Sequence, residues 1–276
     1  MNIFDQMLSR YEIKTNDDNI NAQHEVMQQV ALAGLYRGGF FNKTAFYGGT
    51  SLRIFHGLER FSEDMDFSLL KKDKDFDLKD YFAPIKAEFK ALGRDVIINK
   101  KEKKKETNVE SAFLKDDTSI YNLQFRTERS IKIKIEVDTD PPPGFNTEHK
   151  LLLMPFSFMV RCYSLPDLYA GKIHALLFRA WRNRIKGRDW YDFEWYVRNS
   201  AKLNIEHFNQ RAIQSGSVPS EGLTTNELRK MLKDKIMKTN IEMVKNDVKP
   251  FIKNQKEMEI WSTDYFIQLV DMMEIK

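Results

Sequence analysis

Apolar residues recur at helical spacing in the first part of the chain. Between residues 20 and 36, positions such as Val26, Met27 and Val30 fall three or four residues apart, which is the spacing of a helix that buries one face. A glycine pair at 38–39 follows and favours the end of a helix. The pattern therefore predicts a packing helix over 20–36.

The next segment changes period and predicts a strand, a tight turn, a short helix and a second strand. Residues 44–47 form a short apolar run, 48–51 contain glycines and hydroxyl residues, and 52–56 are helical in pattern. The run 64–69 then alternates strictly, as a strand with two different faces does. Its apolar face consists of Met65, Phe67 and Leu69, and its polar face of Asp64, Asp66 and Ser68.

Beyond residue 80 the pattern predicts more sheet and then a helical half. A helix is predicted over 81–92, and strands are predicted over 96–99, 121–126 and 130–137. After a proline-rich exit at 140–144, helical periodicity covers 165–185, 189–199, 224–237 and 263–273. We therefore predict an α+β fold, with a sheet and flanking helices in residues 1–145 and a C-terminal helical bundle in 146–276.

Composition excludes several classes of protein. Of the 276 residues, 42% are hydrophobic and 30% are charged, and no uncharged apolar run is long enough to cross a bilayer. We therefore expect a soluble, cytoplasmic protein with no membrane partner. The single cysteine, Cys162, has no companion for a disulfide or a zinc-binding pair, and we expect it to be a buried apolar residue. The net charge of +4 is compatible with phosphate-bearing substrates.

The acid pair on the alternating strand is the first candidate for chemistry. Asp64 and Asp66 are two positions apart, so both side chains project to one side, with Cα atoms about 6–7 Å apart. Magnesium prefers oxygen ligands and is usually completed by water and substrate phosphates, so a sparse carboxylate site suits one Mg²⁺ ion or two. The alternative is a strand whose solvent face carries alternating acids.

The glycine turn before this strand is the second candidate. Gly48 and Gly49 let the backbone approach a triphosphate closely, while Thr50 or Ser51 supplies a hydroxyl and the next helix offers its first amides. An ordinary tight turn is the alternative. Neither a Walker-type P-loop nor a Rossmann fingerprint is present in the sequence.

A third carboxylate can come from the strand predicted over 130–137. Glu136 is the first choice, but Asp138 lies on the same face two residues later, and the sequence does not separate them. Either residue would hold a second metal ion or activate an attacking hydroxyl. A surface ladder of acids and lysines is the alternative.

Basic residues recur along the predicted helix 165–185 and just after it. Lys172, Arg179 and Lys186 are separated by seven residues, which predicts one basic stripe with Arg182 at its edge, able to bind an RNA backbone. The alternative is a solvated helix face. Lys172 lies among apolar residues, which indicates that its side chain points into the protein and has a function there. Asp189 either caps the following helix or orients Lys172.

Four ordered blocks make the chain resemble the AbiEii family of nucleotidyltransferase toxins, a branch of the polymerase-beta-like nucleotidyltransferase superfamily. The blocks are Gly48-Gly49-Thr50-Ser51-Leu52, Arg60-Phe61-Ser62-Glu63-Asp64-Met65-Asp66-Phe67, Lys172-Ile173-His174-Ala175-Leu176 and Arg188-Asp189-Trp190-Tyr191-Asp192. The resemblance implies a nucleotidyltransferase fold with a mixed sheet. It also implies that the glycine turn binds nucleotide phosphates, that Asp64 and Asp66 bind magnesium, and that Lys172 and Asp189 have functional roles.

The resemblance further implies an activity and its partners. We expect a toxin of a toxin–antitoxin system that transfers nucleotides from an NTP to the 3′ end of tRNA and so blocks translation, with a cognate antitoxin as its partner. Lys172 would neutralise phosphate charge, and Asp189 would orient this lysine. Arg60 would buttress the acidic loop or contact phosphate. One alternative is a transferase of the same fold that modifies a protein or a small molecule, and another is a non-enzymatic module that binds nucleotide or RNA.

Overall fold

The computed structural model describes residues 2–100, 118–125, 131–179 and 185–276. In chain order, the first half contains α1 (Ile3–Leu8), α2 (Asn16–Arg37), β1 (Thr44–Tyr47), α3 (Gly48–His56), β2 (Met65–Leu69), α4 (Phe82–Ala91), β3 (Val96–Lys100), β4 (Thr118–Phe125) and β5 (Lys132–Asp138). The second half contains β6 (Thr147–Leu152), β7 (Phe158–Tyr163), α5 (Leu165–Phe178), α6 (Gly187–Arg198), β8 (Lys202–Leu203), α7 (Ile205–Gln214), α8 (Thr225–Met237), α9 (Ile241–Val248), α10 (Thr263–Met272) and β9 (Glu274–Ile275).

The main sheet has seven strands in the order β3-β4-β5-β2-β1-β7-β6. Strand β2 runs antiparallel to β1 and parallel to β5, and β1 runs parallel to β7, so the centre of the sheet is mixed. The remaining neighbours pair antiparallel. The predicted α+β fold with a mixed sheet and flanking helices is therefore confirmed.

Each face of this sheet packs against its own set of helices. Phe46, Phe67 and Ile135 point into a core shared with residues of α2 such as Val30. Ala45 and residues at the end of β7 belong to a second core, shared with α5, α6 and the later helices. Because side chains alternate along β2, Asp66 lies on the face opposite Phe67, the face turned towards the C-terminal helices.

The sheet continues past the predicted division of the chain at residue 145. Strands β6 and β7 follow that position and form one edge of the sheet. The sequence analysis predicted neither strand. Polar side chains such as His149 and Lys150 interrupt the apolar pattern of β6, as is common on an edge strand. The division into units 1–145 and 146–276 stays a prediction, although two strands of the second unit belong to the sheet of the first.

The C-terminal region is mainly helical, as predicted, but it contains more helices than the periodicity indicates. Helices α7 and α9 are short, and each begins after an asparagine, Asn204 or Asn240, whose side chain accepts hydrogen bonds from the first turn. Cys162 lies on β7 and is buried in the core that the sheet shares with α2. Within the described residues, no helix has the length and apolar character needed to span a bilayer.

Candidate active site

Three carboxylates meet at the centre of the sheet, on the face turned towards the C-terminal helices. Asp66 is the register partner of Glu136 on the neighbouring parallel strand β5, and Asp64 immediately precedes β2. Asp138 lies two register pairs further on, opposite Ser68, and its carboxylate accepts a hydrogen bond from the amide of Asp140 at 3.0 Å. The structure therefore brings Glu136 beside Asp66, whereas Asp138 supports the turn that follows β5.

Electrostatic repulsion characterises this acid cluster. Burial, together with the nearby charges of Glu136 and Asp64, raises the pKa of Asp66 to about 7. Burial also raises the pKa of Asp64. Lys134 forms an ion pair with Glu136 and supplies a positive charge next to the cluster. Two carboxylates that disfavour each other's ionised form are typical of a site that accepts a cation.

The donor set fits magnesium by its chemistry. Asp64, Asp66 and Glu136 offer only carboxylate oxygens, which are ligands that Mg²⁺ prefers, and a cation would relieve the repulsion that raises the pKa of Asp66. In the part of the chain that the structure describes, no group of three or more His, Cys, Asp and Glu side chains is already arranged around a metal position.

The glycine turn lies directly against the acid cluster. Gly48 has a left-handed backbone with φ of +81°, and a Cβ atom there would lie 3.1 Å from Cγ of Asp66 and closer still to its carboxylate. At Gly49, a Cβ atom would lie 2.8 Å from Nη2 of Arg60 and 2.9 Å from Oγ of Ser62. Both positions therefore need glycine, the first because of Asp66 and the second because of the loop before β2.

The two hydroxyl residues of this turn are buried, so they do not present their side chains to a triphosphate. The hydroxyl of Thr50 donates a hydrogen bond to the backbone carbonyl of Asp64, and it lies 2.9 Å from Oγ of Ser62, whose hydroxyl can donate to it. Ser51 is fully buried close to Cys162. The predicted phosphate contact through Thr50 or Ser51 does not fit this burial, because α3 begins at Gly48 and turns both residues inward. The first amides of α3 are the groups of this turn that remain suited to an anion.

The loop that carries Asp64 is fixed from several sides. Besides Thr50, the side chain of Gln28 on α2 donates hydrogen bonds to the carbonyls of Ser62 and Glu63 at 3.1 and 3.0 Å. The amide of Phe61 donates to the carbonyl of Phe251 at 2.9 Å. Such support holds the carboxylate of Asp64 in place before any substrate binds.

Arg60 also supports this loop. Its guanidinium group forms a two-point ion pair with the carboxylate of Asp192 on α6, at 2.5 and 2.6 Å, and both side chains are almost completely buried. Because the guanidinium is used in this pair, the buttressing role predicted for Arg60 fits the structure better than a contact with phosphate.

Lys172 lies between two buried aspartates of α6. Its ammonium group is 2.7 Å from Oδ1 of Asp189 and 2.7 Å from Oδ2 of Asp192. Burial raises the pKa of Asp189, but the positive charges of Lys172 and Arg179 outweigh burial and hold that pKa well below its usual value. The contact between Asp189 and Lys172 that the sequence predicted is therefore present, and Asp192 completes it.

The predicted basic stripe does not exist as one helix face. Helix α5 ends at Phe178, and the backbone at Arg179 is extended. Arg179 turns back to Asp189 at 3.4 Å, whereas Lys186 stands at the N-terminal cap of α6. Seven-residue spacing predicts one stripe only while the helix continues, and α5 ends after Lys172, the first of the three residues. Arg182 lies outside the described residues.

Sequence reasoning missed two supporting residues. Asp192 lies three positions after Asp189 on a helix, so both share one face, and that spacing was the available signal. Asp247 on α9 accepts a hydrogen bond from the amide of Gly187 at 2.8 Å and thereby holds the start of α6. No local pattern in the sequence connects Asp247 to this helix.

Two solved structures share the overall fold. JHP933 from Helicobacter pylori has a TM-score of 0.54 at 19% sequence identity, over 91% of this chain and 89% of that chain. MenT4, a nucleotidyltransferase toxin from Mycobacterium tuberculosis, has a TM-score of 0.59 at 15% identity, over 96% of this chain and 86% of that chain. At such identities the likeness concerns the fold alone. A comparison with curated proteins gave no significant match.

The family comparison covers most of the chain. The family described as nucleotidyl transferase AbiEii toxin of a type IV toxin–antitoxin system matches residues 30–268. This range includes the glycine turn, the acid cluster and the buried ion pairs between α5 and α6. The chain therefore belongs to the AbiEii family and is a nucleotidyltransferase of a toxin–antitoxin system.

Proposed function

We propose that this enzyme is magnesium-dependent and transfers nucleotides from an NTP to an RNA acceptor, the 3′ end of tRNA, and thereby blocks translation. Family membership already implies an NTP substrate and an antitoxin partner. The proposal adds the metal, the acceptor and the consequence for the cell.

The observation that carries the proposal is the pairing of Asp66 with Glu136 across two parallel strands, with Asp64 immediately before them. Three carboxylates at one point of a sheet are unfavourable without a cation, and they remain together here because the loop and both strands are fixed. A site of this kind is suited to phosphoryl chemistry, in which charge on oxygen must be stabilised.

Each group would have a separate task. Asp64, Asp66 and Glu136 would hold Mg²⁺, which supplies charge stabilisation at the phosphates when bound. The first amides of α3, at Gly48 and Gly49, would face the phosphates of the NTP. An acceptor hydroxyl would form a bond to the α-phosphorus as the bond from that phosphorus to the bridging oxygen breaks. Pyrophosphate leaves, and Glu136 takes the hydroxyl proton.

An RNA acceptor is supported by positive charge beside the acid cluster. The positive charge of Lys186 acts to lower the pKa of Asp64 and of Asp66. The side chain of Arg179, which pairs with Asp189, is 38% exposed. Lysine and arginine residues at a site edge can receive a phosphate backbone. The resemblance to tRNA-modifying toxins favours tRNA over other RNA.

The test offers each labelled NTP in turn, with magnesium, to total RNA, to total protein and to an aminoglycoside. Wild type is compared with Asp66→Asn, which removes one carboxylate of the site, and with Asp271→Asn, the same change at an exposed ion pair on α10. We expect label in a tRNA-sized band with wild type and Asp271→Asn, and none with Asp66→Asn.

Other outcomes would change the assignment. Label in protein or in the drug would replace RNA as the acceptor while retaining the acid site. Equal labelling by Asp66→Asn would refute the proposed metal site. Activity that persists in excess chelator would refute magnesium dependence.

A further inference from the structure

Three aromatic rings form a stack on the sheet face that carries the acid cluster. The ring of Tyr163 packs on that of Phe145, with centroids 4.3 Å apart and planes at 12°, and on that of Tyr47, at 5.2 Å and 27°. His207 on α7 packs edge-on against Phe145 and Tyr163, at 5.9 Å from each. The hydroxyl of Tyr163 donates a hydrogen bond to Oγ of Ser68 on β2 at 2.9 Å. The sheet and α7 therefore fix this ring stack.

The register of the sheet places one end of the ring stack beside the acids. Glu136 on β5 pairs with Asp66 on β2, and Asp66 pairs with Tyr47 on β1. The parallel pairing of β1 with β7 brings Tyr163 next to Tyr47 in the same row. Residues of one row point to the same face, and neighbouring strands are about 4.8 Å apart. Because Tyr163 covers the β7 side of the Tyr47 ring, the other side of that ring is turned towards Asp66.

Tyr47 is the end member of the ring stack and the one with a surface left for a ligand. It is only partly buried, whereas Tyr163 is 1% exposed. Within the described part of the chain, no ring other than that of Tyr163 contacts Tyr47, and its hydroxyl makes no hydrogen bond. A ring supported on one face can receive a planar group on the other, and a nucleobase is the planar group that a nucleotide supplies.

The position of Tyr47 distinguishes between the two substrates. Glu136 and Tyr47 flank Asp66 on opposite sides, since β2 lies between β5 and β1. The acceptor hydroxyl belongs at Glu136, which takes its proton, so Tyr47 is on the side away from the acceptor. Tyr47 also immediately precedes Gly48, where α3 begins and offers its first amides to phosphates. A nucleotide whose phosphates lie at this helix start has its base within reach of the neighbouring ring.

We infer that Tyr47 binds the base of the incoming NTP, which stacks on its ring as the next member of the series Phe145, Tyr163 and Tyr47. This inference rests on the proposed function and gives the NTP site a base-binding side chain. Every base has a π face, so the contact adds affinity for nucleotides in general and none for inorganic triphosphate.

The experiment compares binding of each NTP with binding of inorganic triphosphate to the full chain, by calorimetry with magnesium present. Tyr47→Leu removes the ring and should weaken NTP binding about tenfold, a change within the usual range for base–aromatic stacking, while triphosphate binding stays unchanged. Tyr47→Phe keeps the ring and should bind both ligands like wild type. Tyr36→Leu is the matched control, because Tyr36 is 42% exposed and contacts Phe158 in the core on the opposite face of the sheet.

A second measurement separates a binding role from a structural one. In RNA labelling by Tyr47→Leu, the KM for NTP should rise about tenfold and the KM for RNA should not change, as expected for a contact made by the nucleotide alone. Structural damage at the acid cluster would instead weaken NTP and triphosphate binding equally, and that result would overturn the inference. A rise in the KM for RNA alone would assign Tyr47 to the acceptor and overturn it as well.

The remaining outcomes distinguish this inference from the proposed function. Unchanged NTP binding by Tyr47→Leu, in an enzyme whose wild type labels RNA, would overturn the role of Tyr47 and leave the function standing. If wild type binds NTP but labels no RNA, the proposed acceptor is wrong, and the comparison of Tyr47→Leu with Tyr47→Phe still decides the role of the ring. A wild type that binds no NTP would overturn both.

Discussion

Replacing Asp192 by asparagine would test whether the buried ion-pair network holds the two halves of the site together. Asp192 is fully buried and accepts from Arg60 at 2.5 and 2.6 Å and from Lys172 at 2.7 Å. Arg60 belongs to the loop that carries Asp64, whereas Lys172 belongs to α5. An amide of the same size keeps the volume of the side chain but removes the charge that both cations share.

The expected loss of stability follows from burial. Breaking a buried ion pair by removing one partner costs roughly 3–5 kcal/mol, because the guanidinium of Arg60 stays buried without its counter-ion. For a chain of this size, each kcal/mol lowers the melting temperature by roughly 2–4 °C, so we expect a fall of about 10 °C. Lys172 keeps Asp189 at 2.7 Å, so it contributes less to the loss.

The assay is thermal and urea unfolding of wild type, Asp192→Asn and Asp271→Asn. Asp271 pairs with Lys233 at 2.6 Å, but its side chain is 58% exposed. The same chemical change there should cost roughly 0–1 kcal/mol. Equal stability of the two variants would refute the reasoning, because burial would then add nothing to the pair formed by Asp192.

Two further predictions concern the acid cluster and its glycine. The pKa of Asp66 lies near 7 in the folded chain against an ordinary 3.8, so the folded state binds this proton more tightly, and stability falls as pH rises from about 4 to about 7. In urea unfolding at pH 8 with chelator, the free energy of unfolding of Asp66→Asn should therefore exceed that of wild type, and this difference should vanish below pH 4. A variant less stable than wild type at pH 8 would contradict the raised pKa. Gly48→Ala should abolish nucleotide transfer because the added Cβ displaces the carboxylate of Asp66. Gly57→Ala is the control: Gly57 follows the other end of α3 with φ of +76°, so alanine there has the same backbone strain of about 1–2 kcal/mol. An added Cβ at Gly57 meets nothing within 4 Å, so this variant should keep activity. Equal nucleotide transfer by the two glycine variants would argue against a close approach of Gly48 to Asp66.

Sequence determined the features of this protein that depend on neighbours along the chain. The alternation at 64–69 predicted that Asp64 and Asp66 share a face opposite Phe67, and the strand β2 confirms the alternation. The glycine pair at 48–49, placed between a strand and a helix, is likewise local. Such features follow from the period of secondary structure and from the backbone freedom of glycine, both of which can be read from a few consecutive residues.

Only the tertiary structure decided which distant groups meet. Glu136 and Asp138 are equivalent on their own strand, and the register between β5 and β2 brings Glu136 to Asp66. Lys172 and Lys186 fell on one predicted basic stripe, but the end of α5 at Phe178 separates them. Lys172 lies between two aspartates, whereas Lys186 stands at the start of α6. The physical reason is that strand register and helix ends are fixed by packing between segments far apart in sequence, which local pattern does not encode.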